Sequence, residues 1–174
     1  MNHDRSPPHD ASSMVNHNLS PDALTRHWRS LIPLLEAMAF QVTEWDGHTL
    51  TTAAPLERNR NDKQTGFAGS IAALASVTGW GLATLAAQKA DKPFQVAIRD
   101  SQQSFSRPVE GDLRARVSIK AAERHRFVEE LRLRGKARLT LSVIVGTDQV
   151  PECARLNGTY VAWQVPAGDP EVYA

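Results

Sequence analysis

An uncharged stretch is the strongest constraint on how this chain can fold. Residues 66–88, GFAGSIAALASVTGWGLATLAAQ, contain no Asp, Glu, Lys, Arg or His. A stretch of this length either crosses a bilayer as a helix or forms a helix that is buried on nearly every side of a globular domain. Because it is rich in Ala, Gly, Ser and Thr rather than in Leu, Ile and Phe, its insertion into lipid would be marginal. We therefore favour the buried helix and expect no association with a membrane.

Alternating apolar and polar residues predict antiparallel strands after this stretch. The segments with an apolar residue at every second position are 94–98, 113–119 and 137–145. A last pair of strands is expected within 152–165, broken near Asn157 and Gly158 because this dipeptide favours a turn. Segment 122–131 fits a short helix or a continuing strand, and the sequence leaves this choice open.

A helix and a hairpin are predicted before the stretch. An apolar stripe within 21–38 indicates an amphipathic helix that begins after the N-cap Ser20 and is kinked or restarted at Pro33. Residues 40–54 fit a hairpin whose two-residue turn is Asp46-Gly47. One long buried helix and about five or six half-buried strands predict an α+β domain, in which an antiparallel sheet wraps around a long central helix.

The composition excludes several functional classes. The 174 residues suit a single domain, expected over 21–174 after a disordered tail over 1–20 that lacks the apolar run of a secretory signal. With 20 basic and 19 acidic side chains the net charge is +1, so the chain has no basic field for nucleic acid. The single cysteine, Cys153, excludes an intramolecular disulfide and a cysteine-cluster metal site, and it favours a cytoplasmic location. We predict neither a metal nor a cofactor.

The most specific signal is a string of polar and small residues around the start of the uncharged stretch. Its members are Pro55-Leu56, Asn59, Asn61, Asp62-Lys63, Thr65, Phe67, Gly69-Ser70 and Gly79-Trp80-Gly81, followed later by Asp100 and Pro108-Val109. Over about residues 24–165 this pattern resembles the hot dog fold thioesterases. In particular, it is similar to the thioesterase domain that some bacteria fuse behind an acetyltransferase, and we expect a stand-alone version here.

The resemblance implies both an architecture and a substrate class. It implies a hot dog fold, in which the sheet wraps the central helix, assembled as a homodimer or as a dimer of dimers. It places the active site at the subunit interface. The substrates it implies are acyl groups carried as thioesters on coenzyme A or on acyl carrier protein.

The junction at 66–70 can supply the electrostatic part of thioester hydrolysis. That reaction needs hydrogen-bond donors for the oxyanion that develops on the carbonyl. A helix N-terminus offers unpaired backbone N–H groups and the positive end of the helix dipole. Gly69 has no side chain, so an acyl chain can approach its backbone closely. We predict the oxyanion contact at the Gly69 amide, with Ser70 as a further contact.

The base that activates water is harder to assign. Many relatives carry a carboxylate about two turns along the central helix, or a His before the glycine. This chain has Ser-Val-Thr at 76–78 and Ala68 at those places. The remaining hypothesis is that Asp62 or Asp100 orients the attacking water, while Asn61 positions that water or the thioester carbonyl.

Each of the two carboxylates also has a plain structural interpretation. Asp100 follows the alternating segment 94–98, which suggests that it points inward toward the end of the helix. It would then orient water, or it would cap a buried backbone group. Asp62 lies in an Asn-rich loop, where forming a turn with its own backbone is the alternative.

The other motif residues at the junction are expected to contact the substrate. They are Asn59, Thr65, Phe67 and Ser70. For Asn59 and Asn61, hydrogen bonds that hold the loop are an equal alternative. Ser70 is not expected to be a nucleophile, because the Gly-x-Ser-x-Gly elbow is absent. A second function, binding of acyl groups or acyl-CoA without catalysis, remains open because the helix carboxylate of the relatives is missing.

Overall fold

One long helix organises the part of the chain that the computed structural model describes, residues 20–165. The elements are α1 (Pro21–Leu31), α2 (Pro33–Ala37), β1 (Gln41–Trp45), β2 (Thr49–Ala54), α3 (Leu56–Asn59), α4 (Ala68–Ala87) with a 3-10 turn (Gln88–Ala90), β3 (Phe94–Phe105), β4 (Leu113–Ser118), α5 (Ala121–Arg134), β5 (Lys136–Gly146) and β6 (Ala154–Gln164). The tail predicted over 1–20 lies outside the described residues except for Ser20. Residues 166–174 of the predicted domain also lie outside them.

Helix α4 is the core helix of the domain. By length and composition it could cross a membrane, but 12 of its 20 residues are buried against the rest of the protein. Its small residues allow close packing, since a Cβ on Gly79 would overlap the Tyr160 hydroxyl and one on Gly81 would overlap the Trp28 ring. The glycine content that made lipid insertion marginal is therefore explained by packing.

A six-stranded antiparallel sheet covers this helix. The strand order is β1-β2-β4-β5-β6-β3, so β1 and β3 form its edges. The inward side chains of β4 and β5 are buried, and most of their outward neighbours are exposed, as the alternation predicts. These buried residues are Leu113, Ala115, Val117, Ala137, Leu139, Leu141, Val143 and Val145.

The last strand is continuous, and the break predicted near Asn157 and Gly158 is wrong. Strand β6 lies between β5 and β3, so both residues are paired on each side. Asn157 lies opposite Ser142 on β5 and Gln102 on β3, and Gly158 is likewise paired with both strands. Hydrogen-bonded ladders on two sides outweigh the local turn preference of this dipeptide.

The predicted hairpin is present, but its turn lies one residue later than expected. The backbone N–H of Asp46 donates to the Thr49 carbonyl (3.4 Å), so Gly47 and His48 are the central residues. Gly47 alone of these two has a positive φ, at 90°. The Asp46 Oδ1 accepts from the backbone N–H groups of His48 (2.8 Å) and Thr49 (2.6 Å). These hydrogen bonds lower the pKa of the Asp46 carboxyl.

The helical predictions before and after the core also have clear outcomes. Ser20 caps α1 with its side chain, and the chain leaves the helix at Ile32 before restarting with Pro33 as the first residue of α2. The open choice at 122–131 is resolved as helix, within α5. That helix ends at Gly135, whose φ of 67° is the left-handed conformation typical of a helix C-terminus.

Candidate active site

The start of α4 presents unpaired backbone donors. Phe67 precedes the helix with φ −67° and ψ 130°, no side chain caps the first turn, and that turn contains no acidic residue. The Ile71 N–H donates to the Phe67 carbonyl (3.0 Å). The preceding amides of Ala68, Gly69 and Ser70 therefore have no i−4 partner within the helix. Ala68 and Gly69 are exposed, so these N–H groups and the positive end of the dipole can meet an anion or a developing oxyanion.

The loop before the helix is held together by Asn61. Its Oδ1 accepts from the backbone N–H groups of Lys63 (2.8 Å) and Thr65 (3.2 Å), and its Nδ2 donates to the Thr65 hydroxyl (3.1 Å). The Asn61 N–H also donates to the Thr65 carbonyl (2.8 Å). The loop-holding alternative thus describes what Asn61 and Thr65 do here. Contact of either residue with water or substrate stays a prediction.

Asn59 is a buried residue whose hydrogen bonds hold the start of α4 in place. Its Nδ2 donates to the carbonyls of Met38 (2.9 Å) and Pro55 (2.8 Å), and its own carbonyl accepts from the Phe67 N–H (2.7 Å). The side-chain oxygen is buried without a hydrogen-bond partner in the described part of the chain. Because Asn59 is 1% exposed, it positions the residue before α4, and a direct contact with substrate stays a prediction.

The later Pro-Val of the motif packs against the same junction. The Gly66 N–H donates to the Val109 carbonyl (2.8 Å). A Cβ on Gly66 would lie 3.0 Å from the Val109 Cβ and 3.2 Å from the Ile71 Cδ1. Gly66 therefore allows the loop to approach Val109 closely, which explains why residues distant in sequence belong to one motif.

The Phe67 ring gives a different reason for the glycine at position 69 from the one that the sequence suggested. A Cβ on Gly69 would overlap carbon atoms of this ring, so the ring occupies the space that we expected to be open for the acyl chain. Phe67 is 52% exposed. A thioester at the Gly69 amide would have to pack against the Phe67 ring or displace it, and contact of Phe67 with substrate stays a prediction.

The inward orientation predicted for Asp100 is wrong because β3 contains a bulge. Ile98 lies opposite Tyr160, but Asp100 lies opposite Thr159, so Arg99 is an extra residue in the ladder. An extra residue reverses which face the following side chains occupy. The Asp100 side chain is 64% exposed on the outer face, 3.7 Å from the Arg99 guanidinium. No pattern of apolar residues in the sequence indicates this bulge.

Asp62 lies closer to the candidate site but is not enclosed. It is in the loop that Asn61 organises, and its carboxylate is 2.9 Å from the Lys63 ammonium, with both side chains largely exposed. Ser70, in the first turn of α4, is partly exposed. Within residues 20–165, no group of three or more His, Cys, Asp and Glu side chains forms a candidate metal site. The catalytic roles of Asp62 and Asp100 stay predictions.

Helix α4 and strand β3 run in opposite directions. The Trp80 Nε1 donates to the Val96 carbonyl (3.0 Å), and the hydroxyl of Tyr160, the residue opposite Ile98, donates to the Ser76 carbonyl (3.2 Å). Moving back along the helix from Trp80 to Ser76 therefore corresponds to moving forward along β3 from Val96 to Ile98. The start of α4 thus lies alongside the far end of β3.

Two polar residues on β3 were missed by the sequence analysis. After the bulge, Ser101 and Gln103 take the inward face, opposite Gly158 and Leu156. A helix rises about 1.5 Å per residue and a strand about 3.3 Å, so the seven residues from Ser76 back to Gly69 match about three residues of β3. Ser101 and Gln103 therefore lie at about the level of Gly69, where Asp100 was expected.

The sequence matches a known family over most of its length. Residues 21–164 match the family described as "Putative thioesterase (yiiD_Cterm)". The chain belongs to this family. The match concerns the thioesterase unit and carries no information on a fused acetyltransferase.

Solved structures support the same assignment of the fold. The chain is similar to a protein of unknown function from Chlorobaculum tepidum TLS, with 27% identity and a TM-score of 0.77 over 86% of this chain and 100% of that one. It is similar to a putative thioesterase from Shewanella oneidensis, with 29% identity and a TM-score of 0.72 over 84% and 97%. A probable thioesterase from Pseudomonas aeruginosa, at 22% identity and a TM-score of 0.74 over 86% and 100%, supports the fold alone. The predicted hot dog fold and thioesterase family are confirmed.

Proposed function

We propose that this protein hydrolyses acyl thioesters of coenzyme A or acyl carrier protein at the start of α4. The observation that carries the proposal is the uncapped first turn at 68–70, which offers N–H donors and no acidic side chain. Water attacks the carbonyl carbon, and the oxyanion of the tetrahedral intermediate accepts hydrogen bonds from Gly69 and a neighbouring amide. When the intermediate collapses, the C–S bond breaks, the thiolate takes up a proton, and a carboxylic acid is released. Membership of the thioesterase family supports this chemistry.

The residues around the first turn have distinct roles in this proposal. Asp62 is the better candidate for orienting water, because it lies in the loop that leads into α4 and Asp100 lies on the outer face of the sheet. Gln103 and Ser101 on β3 are two further polar side chains that can form hydrogen bonds with the attacking water or the thioester carbonyl. Phe67 covers the thioester once it is bound.

A second copy of the chain is proposed to complete the site along β3. Among residues 20–165 this strand pairs only with β6, so no other described strand lies beside its residues 97–105. Residues 97–105 are exposed apart from Gln103, and they include Ile98 and Phe105, which is 51% exposed. A long exposed edge strand is a template for pairing with another strand. Antiparallel pairing of two β3 strands would give a symmetric homodimer, and a dimer of dimers would repeat this unit.

Release of free thiol from a panel of acyl-CoAs, from butanoyl to hexadecanoyl, tests the proposal. Hydrolysis at one or more chain lengths is expected, and Asp62→Ala is expected to lower kcat more than Asp100→Asn. Equal and full activity of both variants would remove these carboxylates from the mechanism. The cytoplasmic location and the choice of carrier stay predictions alongside this test.

Binding without catalysis is the second candidate function. It is favoured by the absence of a carboxylate at 76–78 on α4 and by the exposure of both candidate aspartates. In that case no acyl-CoA would be hydrolysed, while acyl-CoA would still raise the melting temperature, because a ligand that binds only the folded state stabilises it.

A further inference from the structure

Two buried hydroxyl groups join α4 to the sheet near the middle of the helix. Thr52 on β2 and Thr78 on α4 are both 0% exposed, and their Oγ1 atoms lie 2.6 Å apart. The Thr78 hydroxyl donates to the Leu74 carbonyl (2.6 Å). Because each hydroxyl has a single proton, Thr52 is then the donor to Thr78.

We propose that Thr52 and Thr78 are positioning residues, which fix α4 against the sheet and so set where the Gly69 amide meets the thioester carbonyl. This inference rests on the proposed function. It concerns two residues that the sequence analysis did not single out and that lie away from the first turn.

The apolar surface of α4 does little to fix the position of the helix. Half of its 12 buried residues are Ala or Gly. Short side chains interdigitate less with the sheet than long ones, and the hydrophobic effect has no preferred direction. A hydrogen bond is directional, and inside a dry core it is costly to leave unmade. A satisfied pair of buried hydroxyls therefore specifies one position of the helix where packing alone permits several.

Hydrogen bonds from two other strands contact α4 within the same two turns. They are the bond of Tyr160 on β6 to the Ser76 carbonyl and that of Trp80 to the Val96 carbonyl on β3. In the strand order β1-β2-β4-β5-β6-β3, β6 and β3 lie at one side of the sheet and β2 lies toward the other. The hydroxyl pair therefore holds α4 from the β2 side, and its loss allows the helix to pivot about the bonds to β6 and β3.

A pivot of α4 at its middle moves the amides at its start. Gly69 precedes Thr78 by nine residues, which is about 13.5 Å along the axis. At that distance a pivot of about 5° displaces the Gly69 amide by about 1 Å. Donors to an oxyanion act at about 2.7–3.1 Å, and a misplacement of about 1 Å can cost about 10²-fold in rate. The hydroxyl pair therefore acts on catalysis through the place of the Gly69 amide, without touching the substrate.

Threonine-to-valine substitutions separate positioning from stability. Thr78→Val alone removes the acceptor of the buried Thr52 hydroxyl, so this variant should melt about 4 °C or more below the wild type. The double variant Thr52→Val, Thr78→Val replaces both hydroxyls by methyl groups of similar shape, so its melting temperature should lie close to that of the wild type. Thr140→Val, on the exposed outer face of β5, is the matched control.

Activity should not recover together with stability. The single and the double variant both lack the hydrogen bond between β2 and α4. In the thiol-release assay both should therefore lower kcat about tenfold, with KM within about twofold of the wild-type value. The control should match the wild type in both constants. A double variant that regains the wild-type kcat along with the wild-type melting temperature would overturn the inference, because the pair would then act through stability alone.

Amide hydrogen exchange, followed by mass spectrometry, tests the same restraint without a substrate. In the double variant the helical amides of 71–74 should exchange about tenfold faster than in the wild type, because the first half of α4 opens more readily. The amides of the β5–β6 ladder should exchange as in the wild type. Unchanged exchange at 71–74 would overturn the inference. Faster exchange in a protein whose wild type hydrolyses no acyl-CoA would instead support the restraint on α4 and refute the proposed function.

Discussion

Removing one backbone amide from the first turn of α4 tests the proposed oxyanion contact. Proline lacks the N–H group, and at position 69 that group has no i−4 partner in the helix, so no helical hydrogen bond is lost. Loss of one preorganised oxyanion donor costs about 10²–10³ in kcat, or about 2.7–4 kcal/mol of transition-state stabilisation. We expect Gly69→Pro to lower acyl-CoA hydrolysis by that factor, measured as thiol release; because Ala68 before it is helical and proline disfavours that conformation, the fold of the variant is checked by circular dichroism.

Two further variants separate the amide from the added bulk. Gly69→Ala keeps the N–H and adds a Cβ that the half-exposed Phe67 ring must avoid, so it should retain most of the activity. Ala68→Pro removes the preceding amide, and Phe67 already has the extended φ and ψ that a residue before proline requires. If Gly69→Pro folds and stays within about threefold of Gly69→Ala, the Gly69 amide is not the donor. A selective loss in Ala68→Pro would place the contact one residue earlier.

Three other changes probe packing and assembly. Thr84→Val should raise the free energy of unfolding by about 1 kcal/mol in a denaturant titration, because the buried Thr84 hydroxyl has no hydrogen-bond partner in residues 20–165. A loss of stability would show that this hydroxyl does form a hydrogen bond. Burial raises the pKa of Tyr160, so its contribution to stability is present below the unfolded-state pKa of about 10 and is lost as the pH rises toward the folded-state value. Above pH 10 the wild type should therefore lose more unfolding free energy than Tyr160→Phe, and parallel curves would contradict this. Phe105→Lys should shift the protein toward monomer in sedimentation and lower thiol release. The control Leu133→Lys, at an 81% exposed site on α5, should do neither. A Phe105→Lys protein that dimerises with unchanged affinity would exclude the β3 edge as the dimer interface.

Much of the fold could be predicted from the spacing of apolar residues, because this spacing indicates which side chains are buried. The alternation in β4 and β5 and the absence of charge in α4 both reflect contact between the inner face of the sheet and the helix. Two of the predictions failed where the conformation of a residue depends on the strands that pair with it. Arg99 forms a bulge against β6, and Asn157-Gly158 is extended because two strands pair with it. Neither arrangement is encoded within a few residues of the position concerned.

Only the parts of the candidate site that depend on local sequence could be predicted. The glycine and amide pattern at 66–70 marked the start of α4, since a first turn without charge or cap is visible in the sequence. Asn61 was readable as a loop-forming residue. The inward positions of Ser101 and Gln103 were not, because the bulge that places them is set by pairing with β6. The ring of Phe67 over Gly69 was equally hidden, since it depends on the rotamer of one side chain.

The central claim is that the first turn of α4 holds the thioester carbonyl. A crystal structure with a ketone analogue of dodecanoyl-CoA, in which a methylene group replaces the sulfur, measures this directly. The account predicts the ketone oxygen about 2.7–3.1 Å from the Gly69 nitrogen. A ketone oxygen bound elsewhere, with the amides of 68–70 still facing solvent, would contradict it.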